Sequence, residues 1–360
     1  MNVELLYALD GKERKEIINL LEKAFSGKVS SSFFDLFLKN TPYKKYIVVK
    51  DESICVGVLC LLDRHIYVNS IAVATTAISY MAVDVNYRNF KVTNLIKARL
   101  FDYLQGNSLL SLGIARKALD GYWSPYGYVG ATNFSEIFVD NLTIPNSLNR
   151  YEVVNCERES LARLSELYHS TYGNISGGIV RDKNIWQHYF SKIENGTVIL
   201  KCIMSNSNVV GYFLYENNRV LEVSGVLGLL KDLLKVIHHF IARSNDGSDE
   251  VIYEVGLSHP MVKWIRKYNH QINQRFVWNG GHIIRIESNI RLLELLRPEL
   301  ESRLNSLGYK NFEIEISNLN FCYKNDILKL KEIENKLDTL TSAEWVQLIF
   351  GIVNPEEIDS

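Results

Sequence analysis

The chain has 360 residues, 47% of them apolar and 22% charged, with a formal net charge of −1. That length implies two or three domains, and the near-zero charge argues against a general nucleic-acid binder, which needs a concentrated basic face. No apolar run approaches the roughly 20 residues that cross a bilayer, so no membrane partner is expected. The opening MNVELLYALDGKERK has no basic segment followed by an apolar one, so no secretory leader is expected either. Cys55, Cys60, Cys156, Cys202 and Cys322 are odd in number and scattered, with no CxxC pair. Their spacing predicts buried thiols in a reducing cytoplasm, not a disulfide framework or a zinc site.

In chain order, a strand at Glu4–Leu6 precedes a helix from Lys12 to Phe25, with Ile17, Ile18, Leu21 and Phe25 at helical spacing. Three serines then cap a short helix carrying Phe33, Phe34, Leu36 and Phe37. Tyr46–Lys50 and Ile54–Leu62 read as strands joined by the turn Asp51-Glu52-Ser53, and His65–Val83 supplies further strand. A polar turn, Asp84 to Lys91, leads into a helix with Val92, Leu95, Ile96, Leu100 and Tyr103 on one stripe. A strand feeding a basic turn at a helix N-terminus suits an anion, because the unpaired N–H groups and the helix dipole both face it. Leu109–Ile114 is a strand, followed by the aromatic segment DGYWSPYGYVGAT and a strand at Phe134–Val139.

Leu142–Ser147, with Pro145, reads as a linker. Beyond it come strand Tyr151–Val154, helix Ser160–Tyr168, strands Val198–Met204, Val209–Tyr215 and Leu221–Val223, helix Leu227–Ala242 and strand Val251–Glu254. This repeats the order of the first half and predicts an internal duplication. The last stretch reads as a small α+β unit: strand His282–Ile286, helix Ile290–Leu307, three short strands between Asn311 and Leu330, and a terminal helix Ser342–Phe350. The adjacent His238 and His239 point in different directions on a helix, so no metal pair is expected there.

Four stretches resemble the GNAT superfamily of acyl-CoA N-acyltransferases, and within it the Eis-like group. Tyr87-Arg88-Asn89-Phe90-Lys91-Val92-Thr93 sits where the superfamily has its R/Q-x-x-G-x-G/A pyrophosphate loop. Gly121-Tyr122-Trp123-Ser124-Pro125-Tyr126-Gly127-Tyr128 is similar to the G-[IF]-Y-x-x-[FY]-G-[YF] segment. Gly178–Trp186 is similar to the start of a long helix in the second domain, and Leu296-Arg297-Pro298-Glu299-Leu300 with Leu340–Gly351 resembles helix ends of the C-terminal domain. The resemblance implies a mixed α+β chain of three parts: a GNAT domain over 1–145 holding acyl-CoA, a degenerate GNAT-like domain over 146–281, and a sterol-carrier-protein-like domain over 282–360.

It implies further that acetyl-CoA is the co-substrate, with no metal, and that the acceptor is the primary amine of a small molecule such as an amino sugar, an aminoglycoside or an amino-acid-like compound. It also implies a homo-oligomer. On the same basis the main chain of Met81, Ala82 and Val83 would pair with pantetheine, while Arg88 and the backbone from Asn89 and Phe90 through Lys91, Val92, Thr93 and Asn94 would face the pyrophosphate. Tyr128 would act as general acid toward the departing thiolate. A phenol stays protonated at neutral pH and can supply that proton. The C-terminal carboxylate of Ser360 would be the general base, with Glu136, Asp84 and His65 as alternatives acting through water.

One departure matters. Lys91 stands at a glycine position of the loop, where it adds a side chain and a charge that can itself pair with phosphate. A non-catalytic GNAT-like binding protein with a degenerate loop is therefore one alternative, and a tRNA-dependent aminoacyltransferase is another. Arg181 and Asp182 are expected to form a structural pair or a helix cap. Phe33, Phe34 and Phe37 are expected to form a helix's packed face or an acceptor-pocket wall.

Overall fold

The computed structural model describes residues 1–25, 30–68, 70–88, 90–115, 120–130, 134–140, 142, 150–194, 198–244, 250–268, 270–275, 281–306, 308, 311–316, 319–324 and 327–332. The expected terminal helix Ser342–Phe350, Ser360, Asn89 and most of the expected linker lie outside the described residues.

The chain opens with β1 (Asn2–Leu6), α1 (Gly11–Ala24), α2 (Ser31–Asn40), β2 (Lys44–Asp51), β3 (Ile54–Val68) and β4 (Ile71–Val83). It continues through α3 (Phe90–Asn107), β5 (Leu110–Ala115), α4 (Asp120–Trp123), β6 (Val129–Gly130) and β7 (Phe134–Val139). A second series follows: β8 (Tyr151–Asn155), α5 (Leu161–Tyr172), α6 (Lys183–Glu194), β9 (Ile199–Ser205), β10 (Asn208–Glu216), β11 (Arg219–Gly225), α7 (Leu230–Ser244), β12 (Val251–Tyr253), α8 (Val262–Ile265), β13 (His270–Arg275) and β14 (Gly281–Ile286). Last come α9 (Asn289–Ser306), β15 (Asn311–Ile316), β16 (Leu319–Lys324) and β17 (Ile327–Glu332).

Two seven-stranded sheets result. The first runs β1-β2-β3-β4-β5-β14-β6 and the second, read from its other edge, runs β8-β9-β10-β11-β12-β7-β13. Place by place the two orders match, down to a parallel pair at the fourth and fifth positions: β4 with β5 and β11 with β12. The duplication expected from the sequence is therefore present in the fold. The sixth place is filled crosswise. β7 pairs with β12 and β13 in the second sheet, while β14 pairs with β6 in the first.

That exchange changes how the chain divides. One compact unit comprises residues 1–66, 71–131 and 282–360, and the other comprises 67–70 and 132–281. The boundary expected at 145 does not coincide with these units, because β7 already belongs to the second sheet. Residues from 282 onward group with the first unit. β13 and α8 were not read from the sequence; both are short, and β13, HQINQR, has little apolar alternation.

In the first unit, α3 covers one face of the sheet. Val92, Ile96, Leu100 and Leu104 of its stripe are fully buried against Ile47, Val49, Leu59 and Leu61. Gly57 on β3 permits this approach, since a Cβ there would lie 2.8 Å from Val92 Cγ1. On the other face α1 and α2 bury Ile17, Leu21, Phe34 and Leu38 against Tyr46, Val48, Val58 and Cys60. Asp10 starts α1 with a capping box, accepting from Lys12 N and Glu13 N while the Glu13 carboxylate returns to Asp10 N. The second unit is built alike. α7 packs Leu230, Leu233, Leu234 and Ile237 on one face, and α5 and α6 pack Leu164, Leu167, Trp186 and Phe190 on the other.

The segment Leu296–Leu300 lies in the middle of α9, with Pro298 inside the helix, and not at a helix end. β15, β16 and β17 form an antiparallel meander, and Glu301 of α9 accepts from Leu328 N at 2.7 Å.

The cysteine expectation is corrected. Cys156 and Cys202 form a disulfide, and Cys55, Cys60 and Cys322 are free. Cys156 lies just past the end of β8, and β8 pairs with β9, which carries Cys202. The pairing joins residues 46 apart, which spacing alone could not disclose, and it removes the thiol argument for a reducing compartment. Among the described residues no helix is long and apolar enough to cross a membrane, and no group of three or more His, Cys, Asp or Glu is placed to hold a metal.

Candidate active site

The site elements of the first unit lie along β4, β5 and α3. β4 and β5 pair from Thr75 opposite Leu110 to Ile78 opposite Gly113. Two residues further on, Tyr80 has φ 47°, a left-handed conformation that extended strand does not contain and that is uncommon for a bulky residue. β4 thus bends between its paired half and Met81-Ala82-Val83. Past the bend, Met81 and Val83 pack on the α3 side and Ala82 on the α1–α2 side.

The Tyr80 ring is surrounded by Phe25, Phe33, Phe34 and Phe37 at centroid distances of 5.7, 6.2, 5.4 and 4.8 Å. Phe34 is fully buried, whereas Phe33 remains exposed. The phenylalanines of α2 therefore serve as a packed helix face, gathered at the bend of β4.

Between β4 and α3 the chain makes a short 3-10 turn, Val85–Tyr87. Asp84 caps it by accepting from Asn86 N at 2.9 Å, and the Tyr87 hydroxyl donates to Asp51 at 3.0 Å. Arg88 is exposed, with Nε 3.5 Å from the Val83 carbonyl. Lys91 is exposed on the first turn of α3, Val92 is core, Thr93 is half-buried and Asn94 is exposed. The side chain of Lys91 thus stands out from the turn into solvent.

Tyr128 is 2% exposed and edge-on to Trp123 at 5.3 Å. Its hydroxyl lies 2.7 Å from Ser111 Oγ on β5, and Ser111 in turn donates to Glu287, immediately after β14. Burial pushes the Tyr128 phenol up, with a smaller opposing pull from its bond to Ser111. The Glu287 side chain is 1% exposed, and burial raises its carboxyl above the usual range, while the Ser111 bond and nearby Arg285 oppose the shift.

The rest of the aromatic segment rests on α3. The Lys97 ammonium donates to the Tyr126 hydroxyl and lies 4.9 Å from the Tyr122 ring centre. Tyr126 also stacks on Phe101 at 5.6 Å, and Arg285 caps Phe101 at 4.5 Å.

The alternative bases do not gather here. Glu136 lies in the second sheet, ion-paired with Arg219, Asp84 is engaged as the cap, and His65 is exposed on β3. Arg181 and Asp182 act separately. Asp182 caps α6 through Ile185 N at 2.9 Å, while Arg181 makes a forked pair with Glu222 and lies over Tyr168 and Tyr189 at 4.0 and 4.1 Å. The first turn of α7, in the place that α3 holds in the first unit, carries Lys231 where α3 carries Lys91, followed by Asp232 where α3 has Val92. Sequence reading missed Glu287, because β14 was assigned to a separate domain and nothing local marks its exchange.

Residues 8–130 match the acetyltransferase (GNAT) domain family. That stretch, about a third of the chain, is similar to a GNAT acetyltransferase domain. The matched span takes in α1, α3, the bend at Tyr80 and the Tyr128 segment. No curated protein sequence matches the chain. Among solved structures, a conserved protein from Enterococcus faecalis V583 is similar at a TM-score of 0.69 and 13% identity, covering 100% of this chain and 92% of its own. A GCN5-related N-acetyltransferase from Anabaena variabilis ATCC 29413 follows at 0.66 and 13%, with 93% and 86% covered. Eis1 from Mycobacterium abscessus gives 0.65 and 11%, with 99% and 92% covered. At such identities the likeness is one of fold, and it extends over both sheets and α9. The fold is thus that of tandem GNAT-type domains, as the Eis-like resemblance implied.

Proposed function

We propose that the protein transfers an acetyl group from acetyl-CoA to the primary amine of a small molecule, such as an amino sugar, an aminoglycoside or an amino-acid-like compound. The observation that carries this reading is the bend of β4 at Tyr80, followed directly by the basic turn and the N-terminus of α3. Past the bend, the main chain of Met81–Val83 is the proposed partner of the pantetheine arm. Arg88, Lys91 and the amides of the first turn of α3 supply positive potential for the phosphates. The amine attacks the thioester carbonyl directly, with both substrates bound, so orientation lowers the barrier. As the carbon–sulfur bond breaks, the thiolate takes the proton of Tyr128. Burial favours this role, because a phenol kept neutral holds its proton until an anion forms beside it.

The exposed position of Lys91 supports binding over the degenerate-loop alternative, since a side chain extended into solvent leaves the loop open and can itself pair with phosphate. The reading extends to a homo-oligomer, the C-terminal stretch being sterol-carrier-protein-like.

Incubation with acetyl-CoA and a panel of amino sugars, aminoglycosides, polyamines and amino acids, followed by free thiol release, tests the proposal. Amine-dependent release with at least one member is expected. No release with any of them, together with no calorimetric binding of CoA, would overturn it.

A further inference from the structure

Tyr128, Ser111 and Glu287 form a buried chain of three oxygens whose direction is set at one end. Ser111 has a single hydroxyl proton to give, and its Oγ touches both the Tyr128 hydroxyl, at 2.7 Å, and a Glu287 oxygen. An ionised carboxylate can only accept. With Glu287 ionised, Ser111 must donate to it, and the remaining contact is satisfied only if Tyr128 donates to Ser111. The phenolic proton is then committed inward. With Glu287 protonated, its O–H can donate to Ser111, and Ser111 then donates to the Tyr128 oxygen. The phenolic proton is released from the chain.

We propose that Glu287 is a positioning residue whose protonation state decides, through Ser111, whether Tyr128 has its proton available to a leaving thiolate. This rests on the reading of Tyr128 as general acid given above. The groups facing Glu287 pull in opposite directions. Arg285 Nη2 lies 3.6 Å from the second carboxylate oxygen and favours the ionised form. Burial of the side chain favours the neutral form, and it outweighs Arg285. Ser111 from β5 and, through it, the neutral phenol of Tyr128 are the other ionisable or hydroxyl partners among the described residues.

Glu287→Gln provides the test. Arg285 draws the amide oxygen toward itself, which turns the amide N–H₂ to Ser111 and fixes the chain in the direction that frees the phenol. In the wild type, kcat has a component that falls as pH rises through the ionisation of Glu287. In Glu287→Gln that component disappears, kcat at alkaline pH rises by up to roughly 100-fold, the low end of what a general acid supplies, and KM for acetyl-CoA stays unchanged. In a Ser111→Ala background the same substitution has no further effect. A Glu287→Gln profile that superimposes on the wild type overturns the inference, as does an undiminished effect in the Ser111→Ala background. If Glu287→Gln does not fold, Ser111→Ala alone carries the test, because it too must abolish the falling component. Tyr128→Phe separates the two claims: unchanged kcat in that variant refutes the acid itself, whereas a loss there beside an unaltered Glu287→Gln profile refutes only the coupling.

Discussion

The hydroxyl of Tyr128 lies 2.7 Å from the hydroxyl of Ser111, and that bond ties the aromatic segment after α4 to the strand that pairs in parallel with β4. It holds the phenol in place while its ring is clamped against Trp123. If Tyr128 donates the proton to the leaving thiolate, Tyr128→Phe lowers kcat by about 100-fold and leaves KM for acetyl-CoA nearly unchanged, because only a group acting in the transition state is lost. Steady-state kinetics with an accepted amine measures both.

Among the described residues, Arg181 and Glu222 form a deeply placed ion pair of the second unit, with side chains 5% and 13% exposed. Tyr212 donates to the same carboxylate at 2.8 Å, and the guanidinium lies over the Tyr168 and Tyr189 rings. Removing one partner leaves a buried charge without its counterion. Arg181→Ala is expected to destabilise the protein by about 3–5 kcal/mol, whereas Arg150→Ala, which removes the exposed contact to Asp232, leaves stability nearly unchanged because solvent screens that pair. Urea denaturation of the two variants gives the comparison.

How much of this was legible in the sequence differs by kind of feature. The stripe Val92, Ile96, Leu100 and Tyr103 declared α3, and alternation declared most strands, because burial on one face writes a period into the residues. Partner choice writes none. Nothing in FSEIFV or GHIIRI says that β7 and β14 exchange sheets, so Glu287 could not be placed beside Ser111. Cys156 and Cys202 look unrelated until β8 and β9 pair. The bend at Tyr80 was equally hidden, since a tyrosine is an ordinary strand residue and a poor advertisement for positive φ.

His259 is buried beside Val223, with Nε2 3.0 Å from that carbonyl and Nδ1 accepting from Met261 N. Burial lowers its pKa from 6.5 to about 4, against smaller opposing effects of the Val223 carbonyl and Glu222. The folded value lies below the unfolded one, so the unfolded chain binds the extra proton between these pH values. The contribution is full above about pH 6.5 and is lost as pH falls toward 4, by up to roughly 3 kcal/mol. Denaturation curves across that window should flatten in His259→Gln relative to the wild type.

The Cys156–Cys202 bond closes a 46-residue separation. A cross-link of that span restrains the unfolded chain by roughly 4 kcal/mol in the chain-entropy account. Thiol titration of the denatured, unreduced protein should find only the three free cysteines, Cys55, Cys60 and Cys322. Reduction should lower Tm, and Cys156→Ser should lower it without reductant.

The central claim is that the bend of β4 and the basic turn beside α3 hold acetyl-CoA. Calorimetric titration of acetyl-CoA into the wild type, Arg88→Ala and Lys91→Ala tests it most directly. Binding to the wild type at one site per chain is predicted, weakened several-fold in each variant and weakened further by added salt, as for exposed phosphate contacts. No binding to the wild type, with binding appearing in Lys91→Ala, would contradict the account and mark Lys91 as an obstruction.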